Sequence, residues 1–150
     1  MSHHRWSRSS GFTLIELIVV VTVLAILGAV AVSALLTYRE KSHVTAAVAS
    51  SNAIRSALAG YAAAHPRMSY PATIVDYNSL VTLVNAHGGQ LSPTPSKSGF
   101  TLQDYTPIDH ENDGDYESYM LRIRVNNVPT TKAGWCMMIT PGAIAKCNAV

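Results

Sequence analysis

An uninterrupted apolar segment near the N-terminus is the feature that most constrains how this chain can fold. Residues 17–36 contain no charged side chain, and a helix of that length covers about 30 Å, the thickness of the hydrocarbon core of a bilayer. A single carboxylate, Glu16, stands at the start of the segment. Placing such a charge inside a bilayer costs about 2.5–3.5 kcal/mol. The pattern therefore predicts a membrane-spanning helix in which Glu16 has a partner or a function.

The segment that precedes Gly11 is basic and contains no acidic residue. It carries Arg5, Arg8 and two histidines, and positive charge beside an apolar segment is retained in the cytoplasm. We therefore expect the N-terminus to lie inside the cell. The whole chain has 11 basic and 9 acidic residues. Loss of the two arginines would leave equal numbers of each, so long-range attraction to nucleic acid is not expected.

The residues around Glu16 resemble a known processing site. Gly11-Phe12-Thr13-Leu14-Ile15-Glu16 is similar to the cleavage site of type IV pilins and of the related pseudopilins of type II secretion. The resemblance implies that a prepilin peptidase cuts after Gly11 and methylates the new amine of Phe12. It also implies that Glu16 pairs with such an amine between neighbouring subunits. Because glycine has no side chain, its backbone can enter a narrow protease cleft.

Three other interpretations of this region stay open. Ala29-Val30-Ala31 has the small residues of a secretory cleavage site, although the apolar segment continues beyond it. The segment could also be an uncleaved membrane anchor. Finally, Thr13 and Glu16 have the spacing of a capping box, in which Glu16 would need no partner subunit.

Beyond residue 36 the pattern changes from uniformly apolar to amphipathic. Tyr38-Arg39-Glu40-Lys41-Ser42 brings the chain into water, and apolar or small residues then recur every three or four positions. The helix is expected to end near Ala64, because His65 precedes Pro66 and a steric clash with the proline ring disfavours helical backbone angles at His65. Many major pilins have a proline within this helix, whereas this chain has none there. The predicted stripe consists of Val44, Ala47, Val48, Ser51, Ile54, Leu58, Tyr61 and Ala62.

The C-terminal part of the chain predicts one short helix followed by strands. Asp76 or Asn78 is expected to cap a helix over residues 79–84. The strands are indicated by alternation of apolar and polar residues. That alternation is brief at residues 100–103, clean at 118–125, and present again at 135–139.

Together these elements predict an α+β fold similar to that of type IV pilins. A long N-terminal α-helix, about residues 12–64, would pack on a C-terminal antiparallel sheet of three to four strands. The predicted organisation is a cytoplasmic leader at 1–11, a transmembrane and assembly helix at 12–36, and one globular head at 37–150.

The two cysteines, Cys136 and Cys147, lie close together near the C-terminus. Behind a membrane-crossing signal they are expected to form a disulfide, which would contribute roughly 2–3 kcal/mol of stability. The resulting loop resembles the cysteine-bounded C-terminal loop of many type IV pilins, whereas many major pseudopilins lack one. It favours a subunit of a surface pilus.

Acidic residues at alternate positions around Gly114 form a candidate cation site. Hard carboxylate oxygens suit Ca²⁺, and major pseudopilins bind calcium in a loop of the head. The spacing does not match an EF-hand, so a solvated acidic hairpin loop is favoured over a calcium site. The candidate ligands are Asp109, Glu111, Asp113 and Asp115.

Other kinds of chemistry have weak support in this sequence. Arg122, Arg124 and Lys132 provide few charges for DNA binding, a property of some uptake pilins, and no hydrolase, phosphate-loop or dinucleotide motif occurs. Four histidines are dispersed, without a metal-binding motif; they are His43, His65, His87 and His110. The sequence therefore predicts a protein without enzymatic activity and without a required cofactor.

The predicted function is that of a structural subunit of a type IV pilus filament. It would be inserted in the inner membrane, processed after Gly11, and assembled with further copies by inner-membrane machinery into an extracellular pilus. The alternatives are a pseudopilin in a periplasmic pseudopilus, a minor subunit at the filament tip, and a membrane-anchored enzyme.

Overall fold

The computed structural model describes residues 11–93 and 99–148 and has the predicted α+β architecture. Its backbone contacts separate a first unit, which ends at Tyr38, from a second unit, which begins at Arg39. The elements in chain order are α1 (Leu14–Ala64), a 3-10 turn (Pro66–Met68), α2 (Tyr77–Ala86), β1 (Phe100–Ile108), β2 (Ser118–Val125), β3 (Cys136–Ile139) and β4 (Ile144–Lys146).

In the first unit, the apolar part of α1 is exposed along its length. Helix α1 begins at Leu14, two residues later than predicted, because Thr13 serves as its cap. An 18-residue window of α1 is long and apolar enough to cross a membrane, and none of that window is buried. The large apolar side chains from Phe12 to Leu36 all lie on the surface. This part of the helix therefore has no core of its own to pack on.

In the second unit, the predicted stripe of α1 faces the core. Ala47, Ile54 and Leu58 are completely or almost completely buried. Ser51 is also buried, and its hydroxyl donates to the carbonyl oxygen of Ala47 at 2.7 Å. The hydroxyl of Ser51 is therefore hydrogen-bonded within the helix and needs no partner elsewhere in the core. Helix α1 ends at Ala64, as predicted.

Helix α2 is short and is fixed at both ends by local hydrogen bonds. Asp76 Oδ1 accepts from the amide of Ser79 at 2.7 Å, and Ser79 Oγ accepts from the amide of Asp76 at 3.0 Å. This reciprocal capping box satisfies two amides that the helix leaves free. At the other end, a Cβ on Gly89 would lie 2.7 Å from the carbonyl oxygen of Val84. Only glycine fits this close approach.

The sheet is antiparallel and has four strands in the order β1-β2-β3-β4. Strand β1 continues to Ile108, five residues beyond the predicted end, after a register shift between Leu102 and Asp104. That irregularity interrupts the alternation from which the sequence predicted a shorter strand. On β2 the side chains alternate cleanly, so that Tyr119, Leu121, Ile123 and Val125 are buried while Arg122 and Arg124 are exposed.

One hydrophobic core joins the stripe of α1, the inner face of α2 and the inner face of the sheet. Aromatic rings fill part of it: Tyr70 contacts Tyr119 at a centroid distance of 4.8 Å, and Tyr77 contacts Phe100 at 5.4 Å. Tyr105 donates its hydroxyl to the carbonyl oxygen of Pro71 at 2.7 Å. The hydroxyl of Tyr119 is buried and has no hydrogen-bond partner among the described protein atoms.

Candidate functional site

Glu16 takes part in a capping box at the start of α1. Its Oε2 accepts from the amide of Thr13 at 3.0 Å and from the hydroxyl of Thr13 at 2.8 Å. In return, the amide of Glu16 donates to Thr13 Oγ1 at 3.3 Å. The negative charge also lies where the helix dipole favours it. Within a single uncleaved chain, Glu16 and Thr13 therefore form the capping box that their spacing predicts.

The second carboxylate oxygen of Glu16 is available for another partner. Both hydrogen bonds to the side chain fall on Oε2, and within residues 11–93 and 99–148 no bond to Oε1 is formed. Glu16 is exposed and borders a shallow hollow of about 310 Å³, which is also lined by Phe12, Ile15, Val19 and Val20. The carboxylate thus stands at the rim of an open, apolar surface.

The Gly11–Phe12 peptide bond lies on the surface. Both residues are exposed, and Phe12 has 84% of its surface accessible. A Cβ added to Gly11 would meet no atom within 4 Å, so the described structure imposes no steric need for glycine there. Glycine at this position is instead explained by recognition by another molecule, such as a protease with a narrow cleft.

The apolar surface of α1 carries a polar group that is already satisfied. The hydroxyl of Thr22 donates to the carbonyl oxygens of Ile18 at 3.0 Å and Val19 at 2.8 Å. An exposed apolar surface of this extent marks contact with lipid or with another protein. Its large side chains between the cap and Leu36 are Leu14, Ile15, Leu17, Ile18, Val19, Val20, Val21, Val23, Leu24, Ile26, Leu27, Val30, Val32, Leu35 and Leu36.

A disulfide joins Cys136 to Cys147 and closes the C-terminal loop of the head. The two Cα atoms are 5.2 Å apart. Backbone hydrogen bonds accompany the link, from Cys147 to Cys136 at 3.0 Å and from Gly134 to Cys147 at 3.0 Å. The indole of Trp135 donates to the carbonyl oxygen of Asn148 at 2.8 Å. The loop is therefore held to the sheet by several contacts besides the covalent bond.

The residues between β1 and β2, 109–117, form a hairpin loop that is stabilised by its own carboxylates. Asp109 accepts from the amides of Asn112 at 2.5 Å and Gly114 at 2.9 Å. The hydrogen bond from Gly114 is the main cause that lowers the pKa of Asp109, with the bond from Asn112 adding to it. Glu117 accepts from the amide of His110 at 2.8 Å. We call residues 109–117 the acidic loop.

The oxygen ligands that come together in the acidic loop differ from the predicted set. Asp109, Asp113 and Glu117 offer carboxylate oxygens within 4.8 Å of one another. Glu111 and Asp115 are not part of this group. Asp115 instead pairs with Arg67 at 2.5 Å, a contact between residues far apart in sequence. The solvated loop stays the favoured interpretation and calcium binding the untested alternative, for which the candidate ligands are these three carboxylates and not the four alternate residues.

Two of the histidines that the sequence presented as dispersed lie in contact. The rings of His65 and His87 have centroids 4.4 Å apart, and Tyr61 stacks on His65 at 3.8 Å. Each Nδ1 lies within hydrogen-bond distance of a backbone carbonyl oxygen, that of Tyr61 for His65 and that of Leu83 for His87. The contact joins the ends of α1 and α2. No spacing in the sequence could have predicted it, since it depends on how the helices pack.

Two of the three cations considered for DNA binding are held in ion pairs. Arg122 donates to both carboxylate oxygens of Asp104, at 2.8 and 3.2 Å. Lys132 pairs with Glu40. Their charges are therefore balanced locally, and the strand face offers a smaller positive field than the sequence alone suggested.

Comparison with known families found one match. The model of the prokaryotic N-terminal methylation motif matches residues 6–32, a region that includes Gly11, Phe12, Glu16 and most of the exposed apolar helix. The chain therefore carries this motif, which supports a precursor of the type IV pilin or pseudopilin type. Searches among curated proteins and among solved structures gave no match.

Proposed function

We propose that this chain is a structural subunit of a type IV pilus filament, cut after Gly11 and assembled through the apolar part of α1. The observation that carries the proposal is the position of the exposed apolar surface. It lies within and just beyond the methylation motif, and the side chains of the first unit do not cover it. In the precursor, lipid would cover this surface. In the filament, the same surface of further copies would take the place of lipid.

Cleavage would create a new charge beside the capping box. The amine of Phe12 is a cation near neutral pH, and an unpaired charge in an apolar surrounding is costly. The free Oε1 of Glu16 provides an acceptor at the rim of the apolar hollow. Pairing with the Phe12 amine of a neighbouring copy would select one axial register, because a misplaced subunit would leave both charges unpaired.

The capping role and the assembly role of Glu16 can be separated by substitution. Glu16→Gln keeps an oxygen that can accept from the amide of Thr13, since a capping box accepts glutamine at this position, but it removes the charge. Thr13→Ala removes the cap and keeps the charge. Glu16→Ala removes both. All three variants retain Gly11 and Phe12.

The three variants are expressed in cells that assemble the filament, and both precursor processing and sheared filament are measured. We expect all three to be processed. Glu16→Gln and Glu16→Ala should both lose most of the filament, whereas Thr13→Ala should retain most of it. Normal filament yield from Glu16→Gln would contradict the role of the charge and leave Glu16 as a capping residue.

A pseudopilin of a type II secretion system is the second candidate. The observation that favours it is the continuity of α1, which runs from Leu14 to Ala64 without the interruption that a proline would cause. The disulfide-closed loop favours the pilus instead, through its resemblance to the C-terminal loop of many pilins. Detection of the processed chain in surface fibres would favour the pilus, and its restriction to the periplasm would favour the pseudopilin.

A further inference from the structure

Two groups of charged residues, opposite in sign, lie at opposite ends of the sheet. Strands β1 and β2 join at the acidic loop, which contains five carboxylates; among the described residues, Arg67 pairs with two of them, Asp113 and Asp115. At the other end of β2, Lys132 lies in the connection to β3, and Lys146 lies opposite Met137 near the start of β3. The head therefore has one negative end and one positive end.

The positive end contains a groove, which we call the basic groove. It has a volume of about 370 Å³ and three lysines against one glutamate. Glu40 pairs with Lys132, so Lys41 and Lys146 are left without an ion-pair partner among the described residues. Both are exposed. The lining residues are Glu40, Lys41, Val44, Thr45, Val128, Lys132, Ala133 and Lys146.

At the negative end, one carboxylate is not used by the loop itself. Asp109, Asp113 and Glu117 accept backbone amides within the acidic loop, and Asp115 pairs with Arg67. Glu111 is exposed, and although its backbone amide donates to Asp109, its carboxylate forms no hydrogen bond or ion pair with the residues that the structure describes. It is the carboxylate most available to another molecule.

The two ends cannot neutralise each other within one chain. Strand β2 separates them by eight residues, which is about 26 Å at 3.3 Å per residue. Screening at physiological salt acts over about 8 Å. The acidic loop of the same chain therefore cannot pair with the basic groove, whereas that of a second copy can.

From this arrangement we propose that the basic groove binds the acidic loop of a second copy of this chain, with Glu111 of one copy pairing with Lys146 of the next. The proposal rests on the proposed function, because subunits that repeat along a filament in one orientation present different surfaces of their heads to one another. The contact is heterologous, joining different surfaces of the two copies, and therefore generates an open filament and not a closed dimer.

A charge exchange tests the pairing directly. Glu111→Lys and Lys146→Glu each alter an exposed side chain outside the core, and the double variant has the net charge of the native chain. Thr82→Lys is the control, because it shifts the net charge in the same direction as Glu111→Lys but lies on the exposed surface of α2, outside the acidic loop and the basic groove. The precursor level and the disulfide are measured in every variant to verify folding.

We expect each single exchange to reduce filament yield at least about fivefold, since like charges brought together at an interface are strongly unfavourable. The double variant should return to within about twofold of the native yield, and Thr82→Lys should assemble normally. Failure of the double variant to recover, or normal assembly of either single variant, would overturn the proposed pairing.

The same experiment separates this proposal from the proposed function. If the native chain assembles through Glu16 and the charge exchanges have no effect, the head contact is wrong and the filament assignment stands. If the native chain forms no filament, both proposals fail. In native filaments, addition of salt should increase the release of subunits, because screening weakens exposed charge pairs.

Discussion

Helix α1 contains a uniformly apolar region and an amphipathic region, and their apolar side chains lie in opposite environments. Leu24, in the first unit, has 61% of its surface exposed, whereas Leu58, in the second unit, is completely buried. Burial of a leucine side chain stabilises a fold by about 1.5–3 kcal/mol relative to exposure. The later region gains this stabilisation from its own sheet. The earlier region can gain it only from lipid or from other chains, so the same type of residue serves folding in one region and association in the other.

The largest expected effect comes from truncating one leucine in each region. Leu58→Ala should lower the free energy of unfolding of the head by about 2–5 kcal/mol, because it leaves a cavity in the core. Leu24→Ala, the matched control on the same helix, should leave that free energy unchanged. Urea unfolding of the processed chain in detergent, followed by Trp135 fluorescence, measures both. An equal loss in the two variants would mean that the regions do not differ as described.

The disulfide is expected to have the next largest effect, and again only on the head. Cys136→Ser should lower the stability of the head by about 3 kcal/mol, because the open chain gains conformational entropy when it unfolds. Membrane insertion and cleavage after Gly11 should be unaffected, since they depend on the first region. Loss of processing in this variant would show that the two regions depend on each other.

The two capping boxes offer a smaller and more specific comparison. Asp76→Ala removes the cap of α2 and should cost the head about 1 kcal/mol. Thr13→Ala removes the cap of α1 and should leave the unfolding of the head unchanged, because only the first turn of the exposed helix is affected. Thermal unfolding of both variants in the same detergent measures the difference. A comparable loss from Thr13→Ala would contradict the independence of the first region.

The smallest expected effect concerns a polar group in the core. The hydroxyl of Tyr119 is buried without a hydrogen-bond partner among the described atoms, and burial raises its pKa. Because an unpaired buried hydroxyl is unfavourable, Tyr119→Phe should leave the melting temperature unchanged or raise it slightly. A clear decrease would show that the hydroxyl forms a hydrogen bond that stabilises the head.

The sequence predicted the features that depend on local pattern. The end of α1 at Ala64 follows from Pro66, and the buried stripe follows from helical spacing. The capping residue Asp76 was one of two candidates, and the alternation in β2 predicted which side chains are buried. The pairing of Cys136 with Cys147 was also expected. These features required no knowledge of how distant segments meet.

What the sequence could not predict depends on contacts between distant segments. The full length of β1 was missed because the irregularity at Leu102 breaks its alternation, and pairing with β2 decides where it ends. The contact between His65 and His87 arises from helix packing. Asp115 was one of four carboxylates considered as candidate ligands of a cation, but in the structure it pairs with Arg67, which is far away in sequence. Each of these outcomes was set by a partner remote in sequence.

The most direct test of the central claim is mass spectrometry of the N-terminus of this chain in fibres sheared from cells that express it. Assembly through the first region after cleavage predicts fibres that contain this chain, beginning at a methylated Phe12. A chain that begins at Met1, or after Ala31, would contradict the claim. A processed chain that is absent from surface fibres would contradict its assignment to a pilus and favour the assignment to a pseudopilin.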